Sequence, residues 1–368
     1  MLLEWLLTWF LTGFPWLFAG YAMLDTPLDA LAPVGGILLV SFSLVLTAAC
    51  LVSRRKWTSW TVAALPWIAA GLIADMAWTQ SGEPHRVALV QGDIPQDIKW
   101  QPDAGMIFER YASLSAPFWD RDLVVWPEGV FYAGTAGARE FLSAMSSRAE
   151  GALVLGVAFR EEEPAGARYY NAALATGAGN GLYRKQRLVP FGDYVPFEDV
   201  LRGLIGFFDL PMSALSPGEP GQPPLRGANG ITLGMAICYE IAYPELVREQ
   251  AREADALITI SNDTWFGRSI GPLQHMQIAR MRAIENGRYL LRSTNDGITA
   301  IVDGQGRVTA ELPQFESGVL TGVVYRTRGT TPFSRLGSIL VVAPLLLFLA
   351  VVVGGSVATR FSSTRNVP

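Results

Sequence analysis

Four long uncharged stretches divide this chain before anything else about it is considered. They cover 5–24, 34–53, 57–74 and 336–359, each long enough for an apolar helix to cross a bilayer. The partition they imply has about three membrane helices over 1–81. An extracytoplasmic domain over 82–333 follows, then a last span with a cytoplasmic tail over 334–368. Thr12-Gly13-Phe14-Pro15-Trp16 should kink the first stretch. A cleaved signal peptide would need a basic leading region, yet the only early charge is Glu4. The link between the second and third stretches carries Arg54, Arg55 and Lys56, whereas the link before it carries Asp25 and Asp29. Because basic loops stay cytoplasmic, 82–333 is expected outside and the last span returns inward, ending with Arg360 and Arg365.

Half of the residues are hydrophobic and 17% are charged, which fits a membrane-associated chain. A formal net charge of −4 gives no reason to expect nucleic acid. Of the two cysteines, Cys50 sits in an apolar run, so no disulfide framework is expected. His85 and His275 are the only histidines, so neither a metal centre nor another cofactor is expected. Any general base falls to a carboxylate or a lysine.

Over 82–333 the pattern changes to short apolar runs alternating with helical segments. Strands are expected at 86–91, 123–126, 153–159, 170–175, 231–237, 256–261, 289–293 and 299–302. Helices are expected at 104–115, 138–149, 244–253 and 274–287. Near-continuous apolar runs are what strands covered on both faces require, and their alternation with helices predicts a layered α/β domain. The Pro/Gly-rich 211–230 reads as a long, mobile surface excursion.

Three residues in this domain gain meaning together. Cys238 ends an apolar run at a strand-to-turn corner, where its sulfur can face a pocket and the N–H of Tyr239 can face a developing oxyanion. Glu128 follows Leu123-Val-Val-Trp-Pro, at the carboxyl end of a strand, the edge where open α/β sheets hold ligands. Lys185 opens a rigid apolar loop, Lys185-Gln-Arg-Leu-Val-Pro-Phe-Gly-Asp193-Tyr-Val-Pro. Taken singly, a cysteine among apolar residues is ordinarily core, and an acid or a lysine beside a strand is ordinarily solvated. A thiol attacking an acyl carbonyl needs a base, an oxyanion partner and a general acid. Glu128 as base and Lys185 as oxyanion partner supply them without histidine, with Asp193 or Glu240 as neighbouring carboxylates.

Trp126-Pro-Glu128, Lys185 through Asp193-Tyr-Val-Pro, and Ile237-Cys238-Tyr-Glu240 resemble the Glu, Lys and Cys motifs of the nitrilase superfamily. The similarity is to its membrane branch, the apolipoprotein N-acyltransferases. It continues through Gln91-Gly-Asp-Ile-Pro-Gln96, Ser261-Asn262-Asp263 with Trp265-Phe266-Gly267, Gln274-His275, and Thr294-Asn295 with Gly297-Ile298-Thr299. That resemblance implies a nitrilase-like αββα sandwich attached to a small transmembrane helix bundle, in the bacterial inner membrane, multi-pass, with the catalytic domain facing the periplasm. Cys238 would accept an acyl chain from a membrane phospholipid as a thioester. It would then pass the chain to the α-amine of the N-terminal diacylglyceryl-cysteine of an apolipoprotein. Glu128, Lys185 and Cys238 would be catalytic, with Asp193, Glu240, Tyr239 and Asn262 supporting them. Trp126, Trp265 and Phe266 would contact substrate, and Phe207, Phe208, Leu210 and Met212 would be lid or acyl contacts. Asp193 stands where the family has a glutamate, one methylene longer. The family also implies further membrane helices ahead of this segment, so that about half of its bundle is expected here. A monomer is expected. Two other functions share the same motifs: a membrane-tethered amidase using water as acceptor, and a conjugal-transfer-associated accessory protein with the same fold.

Overall fold

The structure, a computed structural model, describes residues 1–53, 56–95, 105–132, 138–164, 166–196 and 215–364. Arg54, Arg55, Gln96, Arg365 and the four apolar loop residues Phe207, Phe208, Leu210 and Met212 lie outside the described residues. The chain forms two compact units, Met1–Met76 with Pro332–Pro368, and Ala77–Thr331.

The first unit is helical: α1 (Leu2–Leu6), α2 (Ala32–Leu51), α3 (Lys56–Ile73), α8 (Pro332–Leu336) and α9 (Ile339–Thr364). The stretch 5–24 is not one spanning helix. Leu11, Thr12 and Gly13 take φ of 49°, 74° and 80°, which breaks the helical path, and the Phe14 N–H folds back onto the Leu7 carbonyl at 2.8 Å. Short 3-10 turns then lead into α2. The expected kink is therefore a full break, caused by a run of left-handed residues ahead of Pro15. Pro27–Leu51, with mean hydropathy 2.3, is the one helix among the described residues long and apolar enough to cross a membrane; Trp57–Ile73 and Ile339–Gly354 are shorter apolar helices. Trp57, Leu72, Leu347 and Val351 are all exposed, an apolar exterior that water disfavours.

The second unit carries two sheets among the described residues. One has the order β13-β1-β2-β4-β5-β6, with β3 paired to β4, and the other the order β12-β11-β10-β9-β8-β7. The first is built from β1 (Thr79–Gln91), β2 (Leu123–Val125), β3 (Phe131–Tyr132), β4 (Ala152–Glu163), β5 (Gly166–Gly177), β6 (Gly181–Arg184) and β13 (Gly318–Gly329). The second is built from β7 (Leu225–Arg226), β8 (Thr232–Ile237), β9 (Ala256–Ser261), β10 (Leu290–Thr294), β11 (Thr299–Val302) and β12 (Val308–Leu312). Alternation along β1 shows the layering. Val87 and Leu89 join Val125, Val154, Met235, Ile237, Ile258 and Leu291 in one core shared by both sheets. Ala88 and Val90 point the other way, into a second core with Phe108, Tyr111 and Trp126. Helices α4 (Gly105–Ser115) and α5 (Ala138–Arg148) cover the first sheet, and α6 (Pro244–Arg252) and α7 (Gly271–Asn286) cover the second. This is the expected nitrilase-like α/β fold, two sheets back to back with helices outside. The central strands β1, β2, β4 and β8, β9, β10 are parallel within their sheets, so their carboxyl ends gather chemistry at one edge of each sheet.

The expected excursion over 211–230 is anchored wherever it is described. Leu215 bridges to Tyr169, Leu225 is buried, and β7 adds an edge to β8.

Candidate active site

Glu128 lies three residues beyond β2. Pro127 cannot extend the ladder, and the Trp126-Pro-Glu loop lies flat against Gly156 of β4, where a Cβ would sit 2.5 Å from the Pro127 carbonyl. Buried Glu128 accepts Asn171 Nδ2 at 2.7 Å and Lys185 Nζ at 3.3 Å on Oε1, and the Asn262 N–H at 3.0 Å on Oε2. A carboxylate offers about four acceptor sites. One on Oε2 therefore has no protein donor among the described residues.

Lys185 follows β6 and is buried. Its ammonium lies 2.9 Å from Asp193 Oδ2 and 3.3 Å from Glu128 Oε1. Asp193, although one methylene shorter than the family's glutamate, reaches the lysine because its loop turns tightly, with the Val189 N–H also on Oδ2 at 2.9 Å. Burial alone would lower the lysine's pKa, but the Asp193 and Glu128 charges hold it well above the ordinary lysine range. Lys185 is therefore a fixed cation, and its third N–H has no protein acceptor among the described residues.

Cys238 is the first residue of a 3-10 turn, Cys238–Ala242, directly after β8. Its φ of 53° turns the chain sharply out of the extended strand. The thiol is within electrostatic reach of Glu128 and Lys185: burial and Glu128 push it up, and Lys185 opposes them. At rest it is a protonated thiol, which needs a base to become a nucleophile.

Glu240, two residues on, pins the lysine loop to the cysteine turn. Its Oε1 accepts the Gln186 and Arg187 N–H groups at 2.6 and 3.0 Å, and its Oε2 accepts the Ile237 N–H at 2.7 Å and the Tyr183 hydroxyl at 3.1 Å. Burial raises its pKa to about 7, against those backbone donors. Tyr239 is buried edge-on to Tyr243, ring centroids 5.2 Å apart. Asn262 serves Glu128 through its backbone, while its side-chain oxygen takes the Thr264 hydroxyl at 2.7 Å.

The aromatic expectations divide. Trp126 has no exposed surface; its indole N–H donates to Ser115 Oγ at 2.9 Å and its rings pack on Tyr111, Trp119 and Phe141. The side chain after Val125 points to the helix-covered face, so Trp126 supports the loop bearing Glu128 and offers nothing to a substrate. Trp265 is 67% exposed, and Phe266 stands edge-on to His275 at 6.1 Å. Sequence reading gave no role to Asn171, Tyr183 or Ser261, the last named only as part of a family motif. Each is an ordinary polar residue in or beside a strand, and only pairing across strands gives it a partner.

A family profile for carbon-nitrogen hydrolases matches residues 86–330, and one for the apolipoprotein N-acyltransferase N-terminal domain matches 1–50. The chain is 46% identical over 345 residues to the apolipoprotein N-acyltransferase of Pseudomonas aeruginosa (strain LESB58), covering 90% of this chain and 67% of that protein. It is 46% identical over 363 residues to the one from Pseudomonas putida, covering 94% of this chain and 71% of that protein. The chain thus spans about two thirds of the length of these relatives. Among solved structures, a CN-hydrolase superfamily protein from Xanthomonas campestris aligns at 17% identity with a TM-score of 0.49, covering 66% of this chain and 91% of that one.

Proposed function

The chain belongs to the carbon-nitrogen hydrolase family and, within it, to the apolipoprotein N-acyltransferases; from that premise we propose that it moves a fatty acyl chain from a membrane phospholipid to a lipoprotein amine through a thioester on Cys238. The observation that carries this reading is a buried ammonium, Lys185, clamped between Glu128 and Asp193 beside the thiol turn, with one N–H left over.

In the first step Glu128 takes the thiol proton on its unfilled Oε2 site as Cys238 Sγ adds to the ester carbonyl. The oxyanion forms against the spare Lys185 N–H and the Tyr239 backbone. Collapse breaks the C–O bond, and Glu128 returns its proton to the departing lysophospholipid oxygen. In the second step the α-amine of a diacylglyceryl-cysteine adds to the thioester, Glu128 takes its proton, and the C–S bond breaks as Glu128 passes that proton to the departing Cys238 sulfur. A thioester is reactive enough for an amine, and the bilayer holds both lipids near one mouth, which makes the encounter two-dimensional. Asp193 and Glu240 hold Lys185 and the two loops in register. On this reading the catalytic unit works on the periplasmic side of the inner membrane; the apolar exterior of the helical unit supports a membrane location.

The test is mass spectrometry of the detergent-purified chain after incubation with phosphatidylethanolamine. An acyl adduct on Cys238 that disappears when a diacylated lipopeptide is added, with triacylated product formed, is the expected result. Adduct loss with only free fatty acid released would replace transfer by hydrolysis, and no adduct in the native chain would remove the thioester.

A further inference from the structure

The mechanism above leaves unused a second ionic cluster, buried on the far side of the cysteine turn. Asp263 follows β9, His275 lies on α7 and Arg292 on β10, and all three are at most 2% exposed. Arg292 Nη2 donates to Asp263 Oδ2 at 2.5 Å, and its Nε donates to the Ile298 carbonyl at 3.1 Å. Gly297 makes room for this pair, since a Cβ there would collide with Asp263. The cluster reaches the cysteine along two paths. His275 Nε2 lies 3.1 Å from the Cys238 carbonyl oxygen. A carbonyl can only accept, so Nε2 carries the proton, and Nδ1 lies 3.1 Å from both Arg292 Nη2 and Asp263 Oδ1. Along the other path, Asp263 Oδ1 takes the Ser261 hydroxyl at 2.5 Å, and Ser261 joins Lys185 in drawing the Cys238 thiol's pKa down against burial and Glu128.

This geometry answers a question the catalytic trio does not. A cysteine at φ 53° is in a left-handed region that L-residues rarely adopt, and it stays there only if its surroundings over-determine it. A plain structural ion pair would not place a hydrogen bond on the backbone of the reacting residue. We propose that the Asp263–His275–Arg292 cluster is a positioning device for the nucleophile. His275 holds the Cys238 carbonyl so that the turn keeps its left-handed conformation, and Asp263 fixes the Ser261 hydroxyl. The same three-residue end of β9 also supplies the Asn262 N–H to Glu128, so one rigid segment sets nucleophile and base relative to each other. His275, Asp263 and Arg292 are positioning residues and touch no substrate.

The inference rests on Cys238 as the reacting thiol, and its test has a readout independent of acyl transfer. In the detergent-purified chain, alkylation of Cys238 by iodoacetamide is followed by peptide mass spectrometry, alongside acyl-adduct formation from phosphatidylethanolamine. In His275→Gln the amide nitrogen stands where Nε2 stood, and both rates should stay within about 3-fold of native. In His275→Asn the amide stands at Nδ1 and falls short of the carbonyl. Both rates should drop by about 10- to 100-fold, in kcat and not in KM, with the thermal midpoint of His275→Gln retained. Equal losses in the two variants, or native rates in His275→Asn, overturn the proposal. Should His275→Asn fail to fold, Ser261→Ala removes the hydroxyl that Asp263 fixes and leaves the ion pair. A drop of about 10-fold in alkylation is then expected, and a native rate overturns the proposal. Failure of the acyltransfer reading looks different, because the native chain would then form no adduct while the alkylation contrast persisted.

Discussion

The two ionic clusters beside Cys238 each pair carboxylate with a buried cation, Lys185 in one and Arg292 in the other, and are used differently. Around Lys185 the side chains of Glu128 and Asp193 keep 11% and 17% of their surface, and contacts run at 2.9 to 3.3 Å. Around Arg292 nothing exceeds 1%, and contacts run at 2.5 to 3.1 Å. In the first cluster one acceptor site on Glu128 and one donor on Lys185 stay unfilled by the described residues; in the second, Asp263 has donors on both oxygens. Burial opposes its ionisation, yet the Arg292 guanidinium holds the Asp263 carboxyl well below the usual carboxylate range. Burial and the Arg292 charge lower the His275 pKa as well, so the ring stays neutral. Both clusters keep unused hydrogen-bonding capacity, Arg292 Nη1 included, so what separates the reacting charges from the holding ones is access to solvent.

The largest effect separates the clusters by what each loses. Lys185→Met removes the oxyanion donor, and the acyl-adduct rate should fall by about 10³-fold while the thermal midpoint moves little. Arg292→Met strands the buried Asp263 carboxylate and should cost about 3 kcal/mol of stability, read from denaturant midpoints in detergent. Its rate per folded molecule should fall far less than that of Lys185→Met. If Lys185→Met destabilised the chain as much as Arg292→Met, the division between reacting and holding charges would not stand.

Much of this fold could be read from residue order alone. Strands covered on both faces announce themselves as unbroken apolar runs, and 256–261 and 299–302 match β9 and β11 residue for residue. The edges escaped for the same reason. In β12, Val308-Thr-Ala-Glu-Leu312, and in β13, with Arg326 and Arg328, exposed and buried residues mix, so no apolar run marks them. The Glu, Lys and Cys motifs stood out because each follows an apolar strand with a change of character. Asn171 and Ser261 did not, since an amide or a hydroxyl inside a strand acquires its role only from the chain segment that folds against it. Trp126 misled because a tryptophan beside a reactive carboxylate has the same appearance in sequence whether it lines the cleft or, as here, supports it from behind.

Glu240 sharpens the comparison by a third arrangement, a fully buried acid whose partners are mostly backbone N–H groups. Its pKa is raised from 4.5 to about 7, burial outweighing those donors. Below pH 4.5 it is protonated folded or unfolded. Between that value and about 7 the folded chain alone keeps the proton, so its contribution to stability is full in acid and is lost as pH rises through 7. The slope is at most about 1.4 kcal/mol per pH unit, roughly 3 kcal/mol across the window. Unfolding midpoints at pH 5 and pH 8 should therefore differ more in the native chain than in Glu240→Gln. Equal differences would mean that Glu240 titrates alike in both states.

The smallest effect is the finest test, because it compares two aspartates that each face a buried cation. Asp193→Asn keeps the shape and an acceptor oxygen for the Val189 N–H but withdraws the charge nearer to Lys185. Glu128 still neutralises the ammonium, and the aspartate's partial exposure lets water share the load. The expected cost is about 10-fold in the acyl-adduct rate and under about 1 kcal/mol of stability. Asp263→Asn removes the only carboxylate seen paired with Arg292 among the described residues, at a site with no surface to admit solvent. Its stability loss should reach about 3 kcal/mol. The ratio between the two losses measures how far access to solvent, rather than charge, sets what each cluster does, and a ratio near one would show that access decides nothing.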